Sequence, residues 1–144
     1  MIRPAGPQDV GDLVRMGLLL FEGSAQAELL EEFTRYVGDP AVAVFVAQEQ
    51  GHTIGFAHGQ LRQDYVEGSS TSPVGYLEAL YVQAPFRRRG IGRALVQACE
   101  EWAKAHGCSQ FASDTQLHNG QSLRFHLGAG FREAGRVIAF IKDL

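Results

Sequence analysis

The chain has 144 residues, 45% of them hydrophobic and 20% charged, with a formal net charge of −3. That length suits one domain spanning 1–144 with a substantial core, and the acidic balance argues against a nucleic-acid backbone as the main partner. The apolar runs, such as Ala41–Ala47, are far too short to cross a bilayer, and Met1-Ile2-Arg3-Pro4 lacks the apolar stretch of a signal peptide, so a cytoplasmic protein is expected. Cys99 and Cys108 form neither a CxxC pair nor a metal pattern, which predicts packed, reduced thiols and no metal.

In chain order, Ile2–Pro4 reads as a short first strand. Pro7 suits the first turn of a helix, after which Val10, Leu13, Val14, Gly17, Leu18 and Phe21 recur at helical spacing. A second helix is predicted over Ala25–Tyr36 with Leu29, Leu30, Phe33 and Val37 on its apolar side, broken by Gly38-Asp39-Pro40. Ala41–Gln48 and Thr53–Arg62 are strand-like and joined at Gln50-Gly51. Gln63–Pro73 is polar and rich in glycine and serine, a loop, and Val74–Gln83 is the next strand. Then Ile91, Leu95, Ala98, Cys99, Trp102 and His106 mark one helical face, with Gly107 placed to end it. Gln110–Ser113 is a short strand, and His118-Asn119 can cap a helix to Leu127 or Gly128. Gly130-Phe131 turns into a last strand, Arg136–Ile141. Strands interleaved with helices indicate a mixed α/β sheet with helices on its faces.

One stretch carries the chemistry. Phe86-Arg87-Arg88-Arg89-Gly90-Ile91-Gly92-Arg93 follows a strand and opens a helix. A glycine-rich turn there presents backbone N–H groups at the positive end of a helix dipole, an anion site. It is not a P-loop, because Gly92 is followed by Arg93-Ala94 rather than Lys and Ser or Thr. It is a poor dinucleotide fingerprint, because the third glycine is missing and the turn lies late in the chain.

Arg87-Arg88-Arg89-Gly90-Ile91-Gly92 resembles the diphosphate loop of the GNAT superfamily of acyl-CoA-dependent N-acetyltransferases. Asn119-x-x-Ser122-x-x-Phe125-His126-x-x-x-Gly130-Phe131 resembles the later motif of the same superfamily, in the right order. More narrowly, Asp64-Tyr65-Val66, Ser72-Pro73-Val74, Leu77-Glu78, Ala112-Ser113-Asp114-Thr115, Leu127–Phe131 and Arg136-Val137-Ile138 resemble the small aminoglycoside 6′-N-acetyltransferases. The resemblance implies a GNAT fold, a mostly antiparallel sheet of six to seven strands with about four helices. It implies acetyl-CoA as acetyl donor, a cationic amine acceptor bound in an acidic cleft, and a homodimer. By position, Leu80, Tyr81 and Val82 would line the acetyl-pantetheine arm, and Arg88, Arg89, Gly90, Ile91, Gly92 and Arg93 would hold the diphosphate. Asn119 would contact the coenzyme arm, and Phe21, Tyr65, Glu78 and Asp114 match substrate-contacting positions. Two departures bear on the acceptor: Phe21 stands where relatives carry tryptophan, and Gly135 where a relative carries a glutamate near the substrate.

The residues also support readings of their own. Glu78 in an apolar strand needs an arginine partner or a wet cleft, and Asp114, after the next strand, serves either as a backbone cap or as a cleft carboxylate. Either carboxylate can accept the proton that a substrate ammonium must lose, and a backbone N–H of Leu80–Val82 can stabilise the oxyanion. Tyr65 either stacks on a sugar or anchors its loop. His126 stands where many GNAT enzymes have a tyrosine and is read as a proton donor or a packing residue. Glu28, Glu31 and Glu32 either attract a polycation or form a solvated helix face. Other acceptors, namely another small amine, a polyamine or a peptide, share the same cofactor reading. A non-catalytic CoA- or nucleic-acid-binding module is a separate class, disfavoured by the acidic charge.

Overall fold

A computed structural model describes residues 1–144. Five strands form a single sheet: β1 (Ile2–Pro4), β2 (Val42–Glu49), β3 (His52–Arg62), β4 (Val74–Val82) and β5 (Phe111–Ser113), in spatial order of sequence. The first four are antiparallel, and β5 joins β4 in parallel. Four helices cover the faces: α1 (Val10–Leu20), α2 (Gln26–Val37), α3 (Ile91–Ala105) and α4 (Gly120–Gly128). The β2–β3 hairpin closes at Gln50-Gly51, both with positive φ, as a tight turn matched to strand twist requires.

The two faces of the sheet have separate cores. On one, Leu13, Met16, Leu29 and Phe33 of α1 and α2 pack on Val42, Val44, Val46, Phe56 and Ala79. On the other, Leu95, Val96 and Cys99 of α3 pack on Ala47, Ile54, Ala57 and Leu77. The period of two along β2 explains the division, since Val42, Val44 and Val46 share one side of the pleat and Phe45 and Ala47 the other. Near the N-terminus, Arg3 donates to both oxygens of buried Asp9 at 2.7 and 2.8 Å, and Asp9 also accepts from Gly6 N–H, which ties the first strand to α1.

The expectations fail in the sheet, in the buried face of α3 and at Leu30 of α2, which is exposed. The sheet has five strands rather than six or seven, because Arg136–Ile141 is exposed, forms no regular secondary structure and pairs with nothing in its own chain. The buried stripe of α3 is Leu95, Val96, Cys99 and Ala103, one residue round from the expected face. Trp102 is only half-buried, and it stacks against exposed His106 at 4.6 Å outside the core. Both cysteines are buried and free, and burial pushes the Cys99 thiol up to about 12. Glu28, Glu31 and Glu32 lie on the solvated face of α2. No helix is long and apolar enough to cross a membrane.

His58 of β3 is buried under α2, its ring 4.5 Å from that of Tyr36 and its Nε2 without a hydrogen-bond partner. Burial lowers its pKa from 6.5 to about 4. The folded protein therefore holds His58 neutral where an unfolded chain would take up a proton. Its stability contribution is full above pH 6.5 and declines as pH falls from there towards 4, by about 3 kcal/mol in total. Urea unfolding across that interval should show this slope, and His58→Leu should flatten it.

Candidate functional site

The site is built where two parallel strands part. Gly75, Tyr76 and Leu77 of β4 register with Phe111, Ala112 and Ser113 of β5, and there the pairing ends. β4 runs on to Val82 beside β3, whereas the chain after Ser113 turns away. Glu78 and Asp114, the next residue on each strand, flank the opening of the fork. Glu78 is also the extra residue of a β-bulge: His58 pairs with Ala79 and Gly59 with Leu77, so Glu78 has no counterpart on β3.

Beyond the bulge the β4 backbone offers donors to the fork. The Gln83 N–H donates to Ile54 O on β3 at 2.8 Å. Strand alternation then turns the Leu80 and Val82 amides away from β3, into the fork. Consistent with this, the Val82 carbonyl accepts from Arg87 Nε at 2.7 Å on that side. At the far end lies the anion cradle. Gly90 has φ +80 and leads into α3, whose first N–H groups have no helical partner. Arg88 is left-handed as well, with φ 63. A Cβ on Gly92 would stand 3.2 Å from the Phe125 ring, so its lack of a side chain lets α4 close on the start of α3. The arginines divide their work. Arg87 folds back onto Val82, and Arg89 approaches Glu49 at 3.7 Å, whereas Arg88 and Arg93 have no carboxylate partner.

At the fork the carboxylates are unequal. Arg62 grips Glu78 with two hydrogen bonds of 2.9 and 2.7 Å, the ion pair that the sequence left as one of two readings. The same guanidinium lies 3.5 Å over the ring of Tyr76. The Tyr76 hydroxyl in turn donates to Asp114 Oδ2, so Asp114 is neither a backbone cap nor a free turn residue. Burial, followed by the bond to Asp114, raises the Tyr76 pKa well above its ordinary value. Glu78 is thus committed to Arg62, while Asp114 retains an unpartnered Oδ1 on the surface of the loop.

A cavity of about 670 Å³ runs beside the free edge of β5 and includes Glu67, Tyr76, Asp114, His126, Glu133 and Val137 in its lining. His126 is locked within it: Nδ1 donates to Ser122 O at 2.7 Å, leaving Nε2 to accept from the Ser113 hydroxyl at 2.8 Å. Phe125 and Phe131 stand edge-on to its ring. Tyr65 is 81% exposed, and its hydroxyl donates to Glu67 Oε2 at 2.8 Å. The Glu67 carboxylate lies against Gly135, where a Cβ would stand 2.7 Å from Oε1. A carboxylate from the loop thus occupies the space beside the glycine that replaces a relative's glutamate. Phe21 ends α1, exposed and outside the cavity lining. Asn119 caps α4 by accepting from Ser122 N–H at 3.0 Å, so only its amide N–H groups remain for another partner.

Three side chains of this arrangement carried no weight in the sequence: Arg62, Glu67 and Tyr76. Tyr76 and Glu78 are two apart in one strand, a spacing that usually means one face. Arg62 could be paired with Glu78 only once β3 and β4 were known to form a hairpin.

A mixed sheet whose parallel strands splay beside a glycine-rich helix start defines an acyl-CoA-type transferase fold. The chain belongs to the acetyltransferase (GNAT) family, whose model matches residues 12–131. It is similar to aminoglycoside N(6′)-acetyltransferase type 1 of Stenotrophomonas maltophilia, 40% identical over 140 residues covering 96% of this chain and 90% of the relative. The enzyme of that name from Klebsiella aerogenes is 38% identical over 148 residues, covering 100% and 97%. Among solved structures, AAC(6′)-Iy in complex with the bisubstrate analogue CoA-S-monomethyl-acetylneamine superposes with a TM-score of 0.96 at 33% identity, covering 100% of this chain and 98% of that one. The apo aminoglycoside 6′-N-acetyltransferase AAC(6′)-IG from Acinetobacter haemolyticus gives 0.93 at 31%, covering 100% and 99%.

Arg62 neutralises Glu78 and covers Tyr76 at once. Arg62→Met should lower unfolding free energy by ~1–2 kcal/mol in urea titrations, through the partner left unpaired and the lost cation–π contact.

Proposed function

We propose that this protein transfers the acetyl group of acetyl-CoA directly to a primary amine of an aminoglycoside, the 6′-amine, and so contributes to antibiotic resistance. The single observation that carries the reading is the fork itself: Leu80 and Val82 amides and the Gly90–Arg93 helix start lie along one wall, with Asp114 at the opening. The resemblance to AAC(6′)-Iy bound to a CoA–acetylneamine conjugate supports both halves of it.

Acetyl-CoA supplies an activated thioester and a thiolate of fairly low basicity as leaving group. The start of α3, with Arg88 and Arg93, faces the diphosphate, and positive charge fixed at a helix N-terminus suits it. We assign Leu80 N–H, on the side of β4 away from β3, as the donor to the oxygen of the thioester carbonyl as it gains charge. Asp114 Oδ1 accepts a proton from the substrate ammonium, directly or through water, and frees the lone pair that attacks the carbonyl. Formation of the N–C bond and rupture of C–S then release the thiolate, which takes up the second proton as the attacking nitrogen sheds it, while the proton on Asp114 passes to solvent. Glu78 is neutralised by Arg62, so the acidity of the opening comes from Asp114, and Glu67, bonded by Tyr65, extends it to the rim.

We further infer a homodimer. Val137, Ile138, Phe140 and Ile141 are 79%, 80%, 90% and 97% exposed in a segment without secondary structure, and β5 ends the sheet with one edge unpaired. A second copy of this chain is the occupant that satisfies both the apolar side chains and the open strand edge. Two buried free cysteines and dependence on acetyl-CoA fit a cytoplasmic setting.

With acetyl-CoA, aminoglycosides bearing a 6′-amine should release CoA, whereas simple polyamines and peptides should not. No turnover across kanamycin- and tobramycin-like compounds would refute the acceptor. Asp114→Asn should lower kcat about 100-fold. Arg88→Ala should raise the Kd for CoA about tenfold in calorimetry, with the difference shrinking at high salt. Sedimentation should give a dimer for the full chain and a monomer after deletion of residues 136–144; a monomeric full chain at micromolar concentration would contradict the dimer.

A further inference from the structure

Asp114 has a weakness as a proton acceptor. It is the first residue after a three-residue strand, exposed and at the start of an irregular segment that ends at Asn119. A carboxylate in such a place turns freely about its side-chain bonds, and each turn moves it away from the carbonyl that the amine must reach. Geometric losses of this kind are costly in bimolecular chemistry held in a site.

One group restrains it. Tyr76 is 8% exposed and belongs to the small core of Val66 and Val74 beneath the fork. Its ring is clamped from the other side by the Arg62 guanidinium, 3.5 Å from the centroid, and Arg62 is itself fixed by two bonds to Glu78 on the bulge. The hydroxyl of this immobile ring donates to Asp114 Oδ2. No other hydrogen bond from the protein reaches the Asp114 side chain.

We propose that Tyr76 is a positioning residue for Asp114: by holding Oδ2 it fixes the carboxylate so that Oδ1 faces the incoming amine. This rests on the acetyl-transfer reading and extends it from the carboxylate to the side chain that orients it. The phenol keeps its proton throughout, which agrees with a hydroxyl that is buried and raised well above its ordinary pKa. The proton therefore passes only from the substrate nitrogen to Oδ1, and Tyr76 is a fixed donor rather than a relay. Arg62 and Glu78 are the frame that holds the phenol, so a carboxylate on the bulge serves the chemistry through its neighbour.

Tyr76→Phe keeps the ring, the packing and the stacking of Arg62 and removes only the hydroxyl. Steady-state kinetics with acetyl-CoA and an aminoglycoside turned over by the wild type should show kcat lowered about tenfold, a coupling typical of groups in one network. The KM for acetyl-CoA, calorimetric CoA binding and the thermal midpoint should stay near wild type, which a merely structural role would not allow alongside lost turnover. In an Asp114→Asn background, adding Tyr76→Phe should change kcat by less than about twofold, because Tyr76 acts through the carboxylate. A Tyr76→Phe enzyme with normal kcat beside a crippled Asp114→Asn enzyme would overturn this inference alone. So would losses that multiply in the double variant. Normal turnover by Asp114→Asn would instead remove Asp114 from the mechanism, and Tyr76 with it.

Discussion

Everything distinctive in this molecule depends on β4 and β5 failing to stay paired. Three residues of parallel register are followed by separation, and the bulge at Glu78 falls at that point. Parallel strands separated at their C-terminal ends leave a crevice lined by backbone, the usual ligand position in open sheets. Here the crevice has polar amides from Leu80 and Val82 along one wall and an anion cradle at the start of α3. The bulge is thus more than a local irregularity. It brings the Glu78 carboxylate within reach of Arg62, which sits opposite the start of the same strand.

Charge in the site is arranged in pairs with unequal obligations. Of four arginines in the glycine turn and the first turn of α3, two serve the loop or a neighbouring glutamate and two are left for an anion. Of two carboxylates at the fork, one is neutralised and one keeps an open oxygen. Glu67, drawn against Gly135 and bonded by Tyr65, adds a third carboxylate at the rim. On the proposed function, a polycation meets the carboxylates at the mouth and the phosphates of the acetyl donor meet Arg88 and Arg93 at the start of α3.

The sequence made legible whatever depends on neighbours in the chain. The Gly90 turn, the Asn119 cap, the Gln50-Gly51 hairpin and the breaks at Gly38 and Gly107 all rest on residues a few positions apart. Their local conformational requirements are strong. The resemblance to the family supplied the glycine-rich loop and the substrate positions that are proposed. What stayed hidden needs register. The bulge emerges only when β3 is laid against β4, and the bond between Tyr76 and Asp114 only when β5 joins in parallel. The α3 stripe shifted because Val96 and Ala103, not Trp102 and His106, meet the sheet. Arg136–Ile141 has the composition of a strand, but its own chain provides no edge that it reaches.

The fork between β4 and β5, and not the cavity beside β5, is the proposed seat of the acetyl donor. Titration of isotopically labelled protein with CoA, followed by backbone amide NMR, decides between the two places. The largest shifts should fall at Leu80, Tyr81, Val82 and Ile91–Arg93, with smaller ones at Asp114. Shifts confined to Glu67, Gln110 and Glu133–Val137, with the amides of Leu80–Val82 unmoved, would contradict it.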